Sequence, residues 1–336
     1  MNMKKKIFLT FDYEIFLFEG GCPKKSLFNP TERILNILEE KNIKAIFFID
    51  IMYYYRISSI ESQIENCMIF EKQVQKMIQN GHDVELHLHT HWLDANLVKG
   101  NWNLSNLNHY KLSSFNISEI DLLFDLGIKL LSKICTKIDS NYKVKSFRAG
   151  GLCVLPFELI LNSFKKHRIS FDSSIATGHK SEFSNHAYDH SEITLKQPYF
   201  FSETPLFNDL SGDFIEFPLS WFKVNFIEKL FLKFKKSKHD KFNFVGKGIP
   251  LNSIKKNGLF KKFSSAIYFY SVDHSTVSFS LLNRKIKRYS GEHLTFMSHP
   301  KLMSEKSFLI FKKLTSSDFI FLKFSDFKQN NYKNAF

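Results

Sequence analysis

Two rhythms of apolar and polar positions alternate along the chain, and they predict different elements. Residues 5–11 form an apolar run of strand length that ends in acids. Residues 45–49 (Ala-Ile-Phe-Phe-Ile), 84–89 and 144–148 repeat that type of run. Such short apolar runs fit strands buried on both faces. Between them the apolar residues recur every three or four positions. Ile34, Leu35 and Leu38 give a stripe to a helix opening at Asn29-Pro30-Thr31-Glu32, with Asn29 as N-cap and Pro30 at the first helical position. A second helical stretch runs to about Asn80 and stops at Gly81. In 118–137, Ile120, Leu123, Phe124, Leu130, Leu131 and Ile134 recur near helical spacing. A helix is expected over 156–167, then a short run into Asp172. The tail repeats the theme with a strand at 294–298, a helix near 304–313 and a strand at 318–324.

This strand–helix alternation implies parallel strands with helices outside, and chemistry at the C-terminal strand ends. Two clusters fall there. Asp12 and Glu14 follow the first run, two residues apart. His87, His89 and His91 stand at every second position of the third, so strand geometry puts them on one face. An acid pair after a strand is ordinary, and so is a single histidine at a polar strand edge. Three histidines at period two, matched by a second acidic cluster, make a ligand set for a divalent metal: one carboxylate, two imidazoles, and open positions for water and substrate. Arg148, Asp172 and His299 also fall at or just after predicted strand ends. On spacing alone Arg148 is a rim salt bridge or a site residue. Asp172 either caps a turn with Ser173 and Ser174 or serves the site. Trp92 lines the pocket or packs.

Composition narrows the class. A chain of 336 residues can bury a large core. The 38 Phe are taken as compositional drift. The formal charge is +14, and residues 223–262 supply +10 of it, with twelve Lys against Glu228 and Asp240 and Phe interleaved. That stretch is either a solvated lysine-rich insertion or a surface for an anionic membrane or a phosphate-bearing substrate. No nucleic-acid-binding motif is present. The four cysteines, Cys22, Cys67, Cys135 and Cys153, form no Cys-x-x-Cys pair, which argues against a zinc knuckle or disulfide scaffold and fits a reducing compartment. The basic start lacks a convincing signal peptide, and no stretch is apolar enough to span a bilayer, so a cytoplasmic location is expected. Residues 176–293 break the rhythm and are expected to be an irregular, basic, Phe-rich insertion within a single catalytic domain spanning 1–336.

The motifs resemble those of the polysaccharide deacetylase (NodB homology) family of carbohydrate esterases. Thr10-Phe11-Asp12 is similar to its first motif. Gly81-His82-Asp83-Val84 with His87-x-x-x-His91 is similar to its second, Phe147-Arg148-Ala149 to its third and Leu294-Thr295-Phe296-Met297-Ser298-His299-Pro300 to its last, while Phe171-Asp172-Ser173-Ser174 stands where many relatives carry an acid. The resemblance covers residues 1–175 and about 294–325. It implies a deformed, incomplete, seven-stranded (β/α) barrel and metal-dependent removal of an N-acetyl or O-acetyl group. It implies Asp12 as base, Glu14, His87 and His91 as metal ligands, and His299 as acid. Arg148 would orient Asp12, and Asp172 would orient His299. Zinc is first among the candidate ions. Two departures stand out: Asp12-Tyr13-Glu14 replaces the usual Asp-Asp, and His89 is an extra histidine that could displace His87 or His91. The expected substrate is an acetylated sugar or glycan, nucleotide- or lipid-linked, in surface polysaccharide synthesis. The alternative is a decayed deacetylase scaffold that binds glycans or acidic lipids. Oligomeric state is not legible.

Overall fold

The computed structural model describes residues 4–16, 21–104, 106–182, 187–235, 243–246, 266–274 and 277–327. Its body is one curled sheet of nine strands: β1 (Lys6–Tyr13), β2 (Ile46–Asp50), β3 (Asp83–Leu88), β4 (Ser146–Ala149), β5 (Phe171–Asp172), β6 (Tyr199–Phe201), β7 (Phe214–Glu216), β8 (His293–Ser298) and β9 (Ile320–Leu322). The order is β6-β7-β5-β4-β3-β2-β1-β8, with β9 also pairing the start of β1. Every pairing is parallel except β6 with β7. The sheet does not close by a full ladder. Beyond β7, Leu219 bridges to Thr295 of β8, and the Ser220 amide donates to the Thr295 carbonyl at 3.0 Å. One such bridge ties the two flanks of an incomplete (β/α) barrel.

Strand alternation sorts the side chains into two cores. Phe8, Ile46, Phe48, Phe171, Ile215 and Phe217 fill the barrel, where Phe324 and Phe327 of the tail join them, and Phe217 stacks on Phe324 with centroids 4.0 Å apart. The opposite faces, with Ile7, Leu9, Phe11, Phe47, Ile49, Leu86 and Phe147, pack against the helices. Each Phe buried this fully contributes roughly 1.5–3 kcal/mol. On β1 the inward series is Phe8, Thr10, Asp12, an apolar floor rising to a polar rim.

The strands forecast by the apolar runs are present, with ends shifted by a residue or two. The count exceeds the seven implied by the resemblance because 176–293, expected to be irregular, contributes β6 and β7 to the sheet. Asn29 is not an N-cap. Residues Lys24–Phe28 already wind as a wide helical turn that runs into the helix Asn29–Glu40. The stretch after β2 divides into helices Ile51–Ser58 and Ile64–Gln79, and Gly81, at φ +78°, turns the chain into β3. Most of the basic stretch 223–262 lies outside the described residues. Its described helix, Phe226–Lys235, exposes Ile227 and Leu230.

Candidate metal centre and acid–base pair

Asp12 and Glu14 leave the C-terminal end of β1 and are almost fully buried. The inward face of β3 continues past the strand end to His89, whose backbone is still extended, at φ −106° and ψ 90°. The Glu14 carboxylate, His87 and His89 therefore converge, with one donor atom of each within 4.8 Å of the others. His89 Nε2 lies 2.5 Å and His87 Nε2 3.5 Å from Glu14 Oε2, and the two imidazole nitrogens are 2.9 Å apart. His87 Nδ1 faces the Arg148 carbonyl at 2.8 Å, which fixes the ring and turns the Nε2 lone pair inward. Two imidazole nitrogens and one carboxylate oxygen, all buried and aimed at one point, suit a divalent ion of borderline softness.

The histidine pair implied by the resemblance, His87 and His91, is not the pair that the structure brings to Glu14. His91, implied as the second imidazole ligand, is not in this group; His89 is. Extended backbone ends at His89, and His91 sits in the helical turn Thr90–Leu93. Its ring lies flat on Tyr110, with centroids 5.4 Å apart and planes 9° apart, and neither ring nitrogen has a hydrogen-bond partner among the described residues. Burial and the neighbouring His89 charge push its pKa well down. Trp92 packs rather than lining the cavity, and its Nε1 donates to Asp50 at 2.7 Å.

Asp12 is held by Arg148, which is fully buried and donates to its Oδ1. The guanidinium also donates to Thr10 Oγ1, to the Ser173 carbonyl and to Ser173 Oγ, each at 2.8 Å, and lies over the Phe48 ring. Arg148 is thus a clamp inside the barrel, not a rim salt bridge. One carboxylate oxygen of Asp12 is committed to it, and the other lies 3.6 Å from His299 Nε2. His299 Nδ1 is 3.1 Å from Asp273 Oδ2, which also accepts the His299 amide at 2.8 Å. Burial alone would lower the His299 pKa, but the Asp273 hydrogen bond and the Asp12 and Glu14 charges outweigh it and hold it above the usual histidine value.

Asp172, implied as the partner of His299, does not touch it. Phe171 packs into the barrel, so its neighbour Asp172 faces the helix side, where it accepts from the Ser174 hydroxyl at 2.7 Å and stands in register with Glu216. Burial raises the pKa of both these acids. Lys301 is a further residue that spacing did not single out: its Nζ lies 2.7 Å from Glu14 Oε1 and 3.0 Å from the Ile15 carbonyl. Burial would raise the Glu14 pKa, yet Lys301, His89 and the imidazole hydrogen bonds hold it well below the carboxylate range. The cavity over these groups has a volume of about 350 Å³ and an apolar side formed by Leu152, Tyr188, Phe269 and Met297. His179, at 2.9 Å from the Tyr188 hydroxyl, completes that wall. Lys301 was findable two places after His299. Nothing local marks Asp273, His179 or Tyr188.

The family model described as polysaccharide deacetylase matches residues 2–110. No curated protein matches the sequence. Among solved structures, a protein assigned as a polysaccharide deacetylase from Mycobacterium smegmatis is 13% identical, with a TM-score of 0.49 over 96% of this chain and 88% of that one. A family 4 carbohydrate esterase from Streptomyces lividans, in complex with acetate, is 9% identical, with a TM-score of 0.41 over 93% and 87%. BA3943 from Bacillus anthracis, a CE4 family pseudoenzyme, is 12% identical, with a TM-score of 0.41 over 97% and 66%. These are loose likenesses of outline. The family match is the informative one, because it spans the strands that deliver Asp12, Glu14, His87 and His89; over residues 2–110 the chain is similar to the polysaccharide deacetylase family.

Proposed function

We propose that this protein is a metal-dependent hydrolase that removes an acetyl group, from nitrogen in the first instance, on a sugar or glycan intermediate. The observation that carries this reading is convergence: a carboxylate clamped by Arg148 and an imidazole clamped by Asp273 meet at 3.6 Å, beside the Glu14, His87 and His89 donors. Glu14, His87 and His89 would hold the ion, with zinc the first candidate for such a mixed N/O set. A divalent ion there supplies Lewis acidity to a carbonyl and to water. Asp12, through the oxygen Arg148 leaves free, takes a proton from the attacking water. His299 Nε2 gives its proton to the departing nitrogen as the C–N bond breaks, leaving acetate and a free amine. Asp273 keeps that imidazole charged and oriented. The apolar wall of Leu152, Phe269 and Met297 suits the acetyl methyl and one face of a sugar ring. A nucleotide- or lipid-linked sugar of surface polysaccharide synthesis is the substrate class that fits the strong positive charge. The four free cysteines fit a cytoplasmic setting. The exposed apolar residues of Phe226–Lys235 support peripheral contact with an anionic membrane.

The test measures metal content and acetate release from N-acetylated sugars for the protein and for Asp12→Asn and His87→Ala separately. Asp12→Asn is expected to keep metal and lose turnover, and His87→Ala to lose both. Retention of metal and turnover in both variants overturns the reading. A second reading, a non-catalytic glycan binder on the same scaffold, is favoured by Lys301, which already sets a positive charge on Glu14. Glycan binding with no acetate release from any acetylated sugar would select it.

A further inference from the structure

A second cavity, of about 260 Å³, opens on the flank of the barrel where Leu219 and Ser220 tie the sheet edges together. No residue lines both it and the metal-centre cavity, although Thr177 and Tyr270 of this one are close in sequence to His179 and Phe269 of the other. Its walls are aromatic: Trp221, Phe222, Tyr270 and Tyr289. The polar tips of three of these rings are already committed. Trp221 Nε1 donates to the Thr177 carbonyl at 2.6 Å, the Tyr270 hydroxyl to the Lys285 carbonyl at 2.8 Å, and the Tyr289 hydroxyl to the Lys196 carbonyl at 2.8 Å. The rings are therefore fixed in place, and what they offer to the cavity is flat apolar surface.

Around them stand four cations, Lys196, Lys223, Lys285 and Arg288. Glu228 pairs with Lys285 at 3.0 Å and with Arg284 at 2.7 Å. Among the described residues, Lys196, Lys223 and Arg288 have no carboxylate partner. The amines of Lys196 and Lys223 instead lie 5.6 and 6.0 Å from the Trp221 ring centroid. Like charges gathered on one cleft repel each other, and an incoming anion relieves that repulsion. Fixed rings beneath unpaired cations match a ligand that carries both a planar ring and a phosphate. The volume admits one nucleotide and excludes a duplex.

We propose that this flank cleft binds a nucleoside phosphate, with the base against Trp221 and the phosphate between Lys196, Lys223 and Arg288. The proposal is independent of whether the metal centre hydrolyses anything. The experiment titrates the full chain with the four ribonucleoside monophosphates, with their nucleosides and with inorganic phosphate. It follows tryptophan fluorescence and isothermal heat. At least one monophosphate should bind about tenfold or more tightly than its nucleoside and than phosphate, the margin that a stacked ring together with a charge contact provides. Lys196→Ala with Arg288→Ala should lose that binding, with an unchanged circular dichroism spectrum. Trp221→Phe should abolish the fluorescence response while heat is still evolved. The proposal is overturned if no monophosphate exceeds both fragments, or if the folded double variant binds as the parent does. Binding of phosphate alone, equal to that of every nucleotide, also overturns it and leaves only a basic patch.

Discussion

The barrel has two unlike halves around one site. From β1 to β4, short parallel strands and long helices follow each other, and the site residues sit where strand alternation puts them: Asp12 on β1 and Glu14 just after it, His87 on β3 and His89 just after it, Arg148 on β4. Between 176 and 293 the described segments are short strands and turns with two helices, Phe226–Lys235 and Phe279–Lys287, yet they bring Asp273 to His299 and His179 and Tyr188 to the cavity wall. In the proposed mechanism the first half supplies the ion-holding and proton-accepting groups from rigid backbone, and the second supplies Asp273, the partner of the proposed proton donor, and the apolar wall. Positions needing sub-ångström agreement are carried by strands, and positions that select a ligand by loops.

This contrast can be broken by experiment. The largest effect is expected at Asp12. Asp12→Asn should cost about 10²–10⁴ in kcat with metal retained, the range for losing a positioned base; a variant with normal turnover would remove the first half from the chemistry. Next comes its clamp. Arg148→Met strands the buried Asp12 charge and should destabilise the fold by about 3–5 kcal/mol in urea unfolding. The histidine correction follows. His89→Ala should weaken cobalt or zinc binding by about 100-fold or more, beyond the loss an outer partner causes, whereas His91→Ala should leave affinity nearly unchanged; the reverse order would restore the spacing inferred from sequence. In the irregular half, Asp273→Asn should lower kcat by about 10–100-fold. Because Asp273 helps to raise the His299 pKa and the acid must be protonated, the alkaline limb of the rate profile should also move to lower pH. An unmoved limb would make Asp273 a structural residue only.

The smallest test weighs one buried histidine from each half. His82 and His190 each accept a backbone amide at Nδ1, from Ala45 and Ala176, both at 3.1 Å. Burial lowers their pKa values to about 3 and about 4. The unfolded chain protonates near the ordinary histidine value while the folded one stays neutral, so stability is full at neutral pH and falls as the pH drops from 6.5 toward 4. Each should cost about 2 kcal/mol at pH 5. Unfolding free energies measured at pH 7 and 5 for His82→Gln and His190→Gln should each recover their own share. If only one does, the two halves do not unfold together.

Legibility in the sequence divides along the same line. Apolar runs and helical stripes are local signals, so the β1–β4 half and the tail are readable within a residue or two. That Asp12, Glu14, His87, Arg148 and His299 lie near one another is legible because strand ends point to one rim; their roles are those of the proposed mechanism. Between His89 and His91 the sequence leaves the choice open, because the resemblance points to His91 and nothing in composition marks that extended backbone stops at His89. Asp172 misled because a two-residue strand hides which face each neighbour takes. Asp273 is found only through a contact with a residue 26 positions away, which no local pattern encodes.

The pairing of Lys6 with His293 has a further implication for how the protein is made. The strand β1 emerges from the ribosome well before its neighbour β8, nearly three hundred residues later in the chain, and until β8 is made that edge of β1 is bare. Folding must span that loop before the barrel interior is sealed by Phe324 and Phe327. Removing the chain beyond residue 292 is therefore expected to leave β1 without its β8 partner and the interior without Phe324 and Phe327, and to cost the folded yield.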